Sequence, residues 1–271
     1  MSSDRWSTHA IEMGPTSVIK RFSVGDRERC EREFRALTLL AAYAPGLAAK
    51  PLLSELAAPQ PTLVMSRLSG SPLRGSSLDH RQLKVLADAV TAMHNAVPPS
   101  VLAGVPLRPG HQGELITHLR TWSAVERRDD SSVVARGKVA GLAWLAQSGL
   151  ENGEPDVPAA FGPGDGNLAN YLWDGNKVQV VDFEDSGRSD RAFELAEITE
   201  HVSSWIGPPL DVSSFLAHVD LTAAEASRLR DCRRLLALVW LFLLSFDDPD
   251  SPRNPPGTAE RQADRLMELL G

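Results

Sequence analysis

The sequence is short of cysteine, of lysine and of positive charge in excess, and it has no long apolar run. Its two cysteines, Cys30 and Cys232, lie far apart without metal-ligand company, so they exclude a disulfide framework and read as reduced thiols. The seven histidines are scattered without zinc spacing. The longest apolar run, Leu235 to Leu244, is about half the roughly 20 residues of a membrane-spanning helix and reads as a buried core helix. The opening Met-Ser-Ser-Asp-Arg-Trp lacks the basic-then-apolar order of a secretory signal, so a cytoplasmic protein with no membrane partner is expected. Twenty-eight basic residues face 35 acidic ones, a net charge of -7, which argues against a nucleic-acid binder with its concentrated basic face. Only five of the 28 basic residues are lysines: Lys20, Lys50, Lys84, Lys138 and Lys177.

What is present is enough chain for a large core: 271 residues, 42% hydrophobic, fitting one big domain or two lobes around a cleft. Residues 6–22 read as two short strands, with Gly14-Pro15 a turn before the β-branched stretch Thr16 to Phe22. From Asp26 to about Ala42 the period becomes helical, with Phe34, Leu37 and Leu40 three apart. Thr62-Leu63-Val64-Met65 is a buried strand. The turn-rich Ser69-Gly70-Ser71-Pro72 after it is the candidate lobe boundary. Helical patterns follow over 79–96, 112–127 and 135–147, with a Pro/Gly-rich loop over 98–110. Two strands, Ala169 to Trp173 and Val178 to Phe183, are joined by the hairpin signal Asp174-Gly175-Asn176. Beyond Ser189 the pattern is helical, with proline-rich breaks.

Chemistry concentrates between Gly162 and Gly187, GPGDGNLANYLWDGNKVQVVDFEDSG. Asp165 lies on a turn, Asn170 at the start of one strand and Asp182 at the end of its partner, so all three can converge at the hairpin base. Carboxylate and amide oxygens are hard ligands suited to magnesium, which takes few protein ligands and leaves room for substrate phosphates. The remaining acid can orient a hydroxyl.

This segment resembles the catalytic core of the aminoglycoside phosphotransferase family, small-molecule kinases with a protein-kinase-like fold. Pro163-Gly164-Asp165, Asn170, Asp182-Phe183-Glu184 and Glu194-Leu195-Ala196 carry the likeness. Upstream, Val18-Ile19-Lys20 looks like the strand bearing a phosphate-binding lysine, and Arg32-Glu33 like the helix whose glutamate pairs with it. Thr62 to Gly70 looks like the last small-lobe strand and the hinge that receives adenine. A compact lysine in a strand of this arginine-dominated chain suits that role, since arginine's planar fork is no substitute.

The resemblance implies an α+β, two-lobed protein-kinase-like fold, with a small β-rich nucleotide-binding lobe over 1–68 and a larger, mainly helical catalytic lobe over 69–271. It implies transfer of the γ-phosphate of ATP or GTP to a hydroxyl of a small molecule, such as an aminoglycoside or nucleoside antibiotic or a related metabolite. Asp165 is the expected catalytic residue, accepting or orienting the hydroxyl proton, Asn170 and Asp182 the magnesium ligands, and Lys20, Glu33, Met65, Arg67 and Leu68 the nucleotide site. Two departures stand out: Pro163 replaces the family's histidine, and only 19 residues, without a Gly-x-Gly, precede Lys20. They keep a second reading open, a non-catalytic kinase-fold binding or regulatory protein. Of the acidic clusters at 151–156, 194–200 and 247–250, any that lined the cleft would favour a polycationic acceptor.

Overall fold

The β-branched stretch Ser17–Arg21 becomes an inner strand of an antiparallel sheet in a computed structural model that describes residues 9–125, 132–151, 157–248 and 251–271. The chain runs β1 (Ala10–Met13), β2 (Ser17–Arg21), β3 (Pro51–Glu55) and β4 (Thr62–Ser66), and the strands lie in the order β1-β2-β4-β3. Lys20 pairs with Ile11 on one side and Leu63 on the other, which places its side chain on the covered face. Strand β3 has no sequence signal: it opens on proline, carries the exposed Leu52 and Leu53, and shifts register between Pro51 and Leu53. Such irregularity is tolerated because β3 is an edge strand.

Helix α1 (Arg27–Tyr43) buries Cys30, Glu33, Ala36, Leu37 and Leu40 and packs on β3 and β4. The three-and-four spacing that buries the leucines also buries Glu33, one turn before Leu37 on the same face.

After β4 the chain leaves this sheet. Strand β5 (Ser71–Pro72) pairs with β7 (Tyr171–Trp173), which forms the expected hairpin with β8 (Val178–Val180). At the hairpin turn the Asp174 carboxylate accepts the N–H groups of Asn176 and Lys177, each at 2.9 Å. Gly70 has a φ of 127°, and a Cβ there would stand 2.8 Å from the Trp173 carbonyl oxygen. The close approach of the two turns therefore requires glycine.

The rest is mainly helical: α2 (His80–Ala96), the short α3 (Pro99–Leu102), α4 (Gln112–Val125) and α5 (Val133–Gln147) come before the hairpin. After it come α6 (Arg191–Glu200), α7 (Val212–Leu216), α8 (Ala223–Ser245) and α9 (Thr258–Leu270). Capping boxes Asp79/Gln82 and Thr222/Glu225 open α2 and α8. The long apolar run lies inside α8, buried against α5, α6 and α9. No helix among the described residues is long and apolar enough to cross a membrane. A two-stranded ribbon of β6 (Ala159–Gly162) and β9 (Gly187–Asp190) leads into and out of the segment that carries Asp165 and Asp182.

Two sequence expectations shift at the hairpin base. Ala169 and Asn170 form a short 3-10 turn with Leu168, because the Asn167 side chain accepts the Ala169 N–H at 3.0 Å. Strand β8 ends at Val180, two residues before Asp182. Residues 6–8, 126–127, 154, 156 and 250, on which parts of other expectations fell, lie outside the described residues.

Candidate active site

Lys20 reaches out of β2 into a nest of carboxylates. Its Nζ lies 2.7 Å from Glu33 Oε2, 2.6 Å from Asp182 Oδ1 and 2.8 Å from Glu184 Oε2. Lys20 is 5% exposed, so it is not an edge residue with its head in water. Burial alone would lower its pKa, but Glu33, Asp182 and Glu184 more than reverse that effect, and the group is held firmly charged. Of the acids near the start of α1, Glu31 pairs with Arg27 on the surface and Glu33 alone turns inward.

Asp182 has a φ of 66°, the only non-glycine in the left-handed region among the described residues. An aspartate tolerates that region better than a branched residue, and such strain persists only where surrounding contacts impose it. Here they turn the side chain from the strand direction toward Lys20. The Asp182 side chain is 41% exposed to the cleft. Glu184, two residues on, contacts His9 Nε2 at 2.8 Å and Arg29 at 3.3 Å, while its carbonyl accepts from Arg32 at 2.7 Å. Sequence reasoning quoted Glu184 in the motif without giving it a site role.

Asp165 lines the same cleft as Asp182. Its Oδ1 accepts the Asn167 N–H and its Oδ2 accepts the Asn170 amide N–H, both at 2.9 Å. Burial raises its pKa; the Asn167 N–H works against that rise and the nearby Asp182 adds to it. Asp165, Asn170, Asp182, Glu184, Arg29 and Arg74 line one cleft of about 640 Å³. Met65, Arg67 and Leu68 do not line it: Met65 is buried in the core, Leu68 packs against it, and the Arg67 guanidinium donates to the Gly14 carbonyl at 3.0 Å.

The donor set fits magnesium. One oxygen each of Glu33, Asp182 and Glu184 lie within 4.8 Å of one another. The Lys20 ammonium fills the space between them, so that trio is an ion-pair nest and not a cage. Lys20 engages Asp182 through Oδ1, and Asn170 spends its amide N–H on Asp165. That leaves Asp182 Oδ2 and Asn170 Oδ1, two hard oxygens on residues that line the cleft, the small protein share magnesium prefers.

The turn that carries Asp165 is braced from behind. Arg108, 4% exposed, donates to the Gly164 carbonyl at 2.7 Å and binds Glu194 at 3.1 Å and Glu197 at 2.9 Å. Glu194 in turn accepts the Gly164 N–H at 3.3 Å. Sequence reasoning missed Arg108, which sits in the loop read only as proline- and glycine-rich. Glu194, Glu197 and Glu200, three apart on α6, are all buried and paired, Glu200 with Arg233 and Arg265. None of the described residues of the acidic clusters lines the cleft. Glu151 instead pairs with Arg120, and Asp247 accepts the Arg253 N–H. Trp205 packs against Arg261 and Arg265, whereas His201 reaches within 3.6 Å of Asp165 Oδ1.

Glycine is required where the turn meets α6. A Cβ on Gly166 would stand 2.1 Å from the Glu197 carbonyl oxygen, and one on Gly164, with φ 82°, would stand 1.9 Å from the Asp185 carbonyl oxygen. Both obstacles are backbone and cannot turn aside. Gly166→Ala should therefore lower stability by about 2 kcal/mol or more, in the range of core overpacking. Urea denaturation checks this, and a loss below about 0.5 kcal/mol, the scatter of surface substitutions, would refute it.

Residues 4–236 match the model of the phosphotransferase enzyme family. No curated protein matches the chain by sequence. Among solved structures, a choline/ethanolamine kinase family protein from Mesorhizobium loti is 15% identical, covers 97% of this chain and 85% of its own, and has a TM-score of 0.64. A choline kinase from Streptococcus pneumoniae is 14% identical over 99% of this chain and 91% of its own, with a TM-score of 0.63. A spectinomycin phosphotransferase in complex with ADP and spectinomycin is 12% identical over 100% and 91%, with a TM-score of 0.64. At these identities the likeness is one of fold: a small β-sheet region joined to a larger helical part.

Proposed function

The chain belongs to the phosphotransferase enzyme family, and on that premise we propose that it transfers the terminal phosphoryl group of ATP or GTP to a hydroxyl of a small molecule. The observation that carries this reading is Lys20 paired to Glu33 and to Asp182, 162 positions away, with Asp165 and Asn170 on the same cleft. Lys20, fixed by Glu33, holds the nucleotide phosphates. Asp165 orients the acceptor hydroxyl and takes its proton as the phosphoryl group departs. Asn170 and Asp182 would hold magnesium, which supplies neutralising charge on the phosphates. The transition state is loose, so catalysis rests on positioning and electrostatics.

The nucleotide-binding lobe is assigned to 1–68 and the catalytic lobe to 69–271. Of the three residues expected at the adenine, Leu68 in the hinge after β4 is assigned to present backbone to the base, whereas Met65 is paired within β4 and the Arg67 N–H donates to the Thr16 carbonyl at 2.9 Å. In support of the division, the chain leaves the first sheet after Ser66 and joins the second at Ser71. The ADP of the spectinomycin phosphotransferase complex favours an adenine nucleotide. Spectinomycin and choline, named for two structural neighbours, frame the acceptor as a hydroxylated compound of modest size. The cytoplasm, which supplies nucleoside triphosphates and keeps the buried Cys30 and Cys232 reduced, is the assigned compartment.

The test is to incubate the chain with magnesium and ATP or GTP against a panel of hydroxylated antibiotics, amino alcohols and sugars, reading phosphate mass gain. Transfer to at least one acceptor is expected. Tight nucleotide binding with no transfer to any acceptor and no hydrolysis would favour the non-catalytic reading.

A further inference from the structure

Resting on the phosphotransferase reading, we propose that His201 is a positioning residue that sets the orientation of the Asp165 carboxylate. His201 caps the C-terminus of α6, where the chain turns into Val202–Ser204. Its Nδ1 accepts the Ser203 backbone N–H at 3.0 Å. The Ser203 hydroxyl lies 2.7 Å from the same nitrogen and itself accepts the Leu168 N–H at 2.9 Å. A hydroxyl accepting from an amide still has its own proton to give. Nδ1 thus faces two donors and carries no proton, so the neutral ring bears its hydrogen on Nε2. Burial, with the Arg74 charge acting in the same direction, pushes the imidazole pKa down to about 3 and keeps the ring neutral. An edge contact with Trp240, centroids 4.8 Å apart at 84°, fixes the ring plane.

The Nε2 atom that carries this hydrogen is 3.6 Å from Asp165 Oδ1. That is longer than a formed hydrogen bond, as is common at such sites before the reactants close them. The other two donors to Asp165, from Asn167 and Asn170, come from its own turn. Rotation of a carboxylate about its last bond is soft, so donors from one side leave its plane poorly defined. His201 adds a restraint from a different element. The relay Leu168–Ser203–His201–Asp165 also starts and ends on one turn, so the backbone of that turn sets the tautomer that holds its own acid.

The experiment uses His201→Phe, which keeps a ring beside Trp240 and removes both nitrogens, and His201→Gln, which returns an N–H near Nε2. ATP hydrolysis with magnesium, water serving as acceptor, is followed in the full chain with the KM for ATP. In His201→Phe we expect kcat to fall about 10- to 100-fold, up to but not beyond the roughly 10²-fold at which direct proton-handling contributions begin, because His201 acts through Asp165. The KM should stay within about twofold, and His201→Gln should recover most of the loss. An unchanged kcat, a KM rise in place of a kcat loss, or a glutamine variant no better than phenylalanine overturns the proposal. Long-range ¹⁵N–¹H spectra of the histidine rings give a second readout, independent of turnover and of whether the His201 variants fold. They should show His201 protonated at Nε2, with that signal displaced in Asp165→Asn. An Nδ1-protonated ring, or an Nε2 signal indifferent to Asp165→Asn, overturns it equally. If the wild type neither hydrolyses ATP nor transfers phosphate, the phosphotransferase reading fails, and the spectra decide His201 alone.

Discussion

Asp165→Asn is expected to lower phosphoryl transfer by about three orders of magnitude while leaving nucleotide affinity and the thermal midpoint nearly unchanged. The magnitude follows from the role. A positioned base contributes roughly 10²- to 10⁴-fold, and an amide cannot take the hydroxyl proton. The small structural effect follows from the hydrogen bonds. An asparagine oxygen can still accept the Asn167 N–H that Asp165 accepts at 2.9 Å. Asn170 keeps its Oδ1 for magnesium, so its amide N–H loses the acceptor it had in Asp165, a cost of one hydrogen bond. Losing a carboxylate whose pKa burial has raised also removes a partly buried charge, which offsets part of the lost hydrogen-bond energy. The measurement is single-turnover transfer to any acceptor found, with ADP titration and thermal unfolding alongside. A variant that retains more than about a tenth of the rate would show that Asp165 only shapes the turn. A variant that loses nucleotide binding as well would place it in the nucleotide site instead.

The contrast between Asp165 and Arg108 shows what the sequence exposes and what it hides. Asp165, Asn170 and Asp182 are legible because they lie within one stretch whose hairpin brings them together, so local spacing is enough. Lys20 and Glu33 are legible because each stands in a strong periodic pattern, a β-branched strand and a leucine stripe. The scarcity of lysine pointed the same way, yet Lys138 is buried as deeply, at 4% exposure, beside Ser245 and the Phe242 ring. Scarcity and burial together therefore do not mark the phosphate site; the strand pattern around Lys20 does. Arg108 gives no such signal. It sits in a loop without regular pattern, 56 positions before the glycine it holds, and only the three-dimensional return of the chain reveals it. His201 is similar: its partner is set by the turn that ends α6, which no periodicity specifies. Edge strand β3 and the two-residue strand β5 stayed hidden because pairing defines them more than propensity does.

Arg108→Met should destabilise the fold by about 3–5 kcal/mol, the usual cost of removing one partner of a buried ion pair. For a chain of this size that is a fall in thermal midpoint of about 10 °C. One guanidinium serves both Glu194 and Glu197, so its loss leaves two buried carboxylates without a cation. The effect should depend on pH, and the wild type fixes the sign. Burial raises the Glu197 pKa to about 7 from 4.5, with Arg108 opposing that rise. Its folded-state pKa lies above the unfolded value, so its stabilising contribution is complete below about pH 4.5 and declines as pH rises toward 7. Without Arg108 the opposing term vanishes and the carboxyl holds its proton to still higher pH. The variant should then be closest to wild type at pH 5, where Glu197 is protonated and needs no cation, and furthest from it at pH 8. Urea unfolding at the two pH values measures the difference. A loss independent of pH would mean that methionine fails through packing alone. In the triple variant Arg108→Met, Glu194→Leu, Glu197→Leu, with no charge left to satisfy, most of the lost stability should return. Transfer should stay impaired in that variant, because neither the Gly164 carbonyl nor its N–H would have a side-chain partner to hold the turn that carries Asp165.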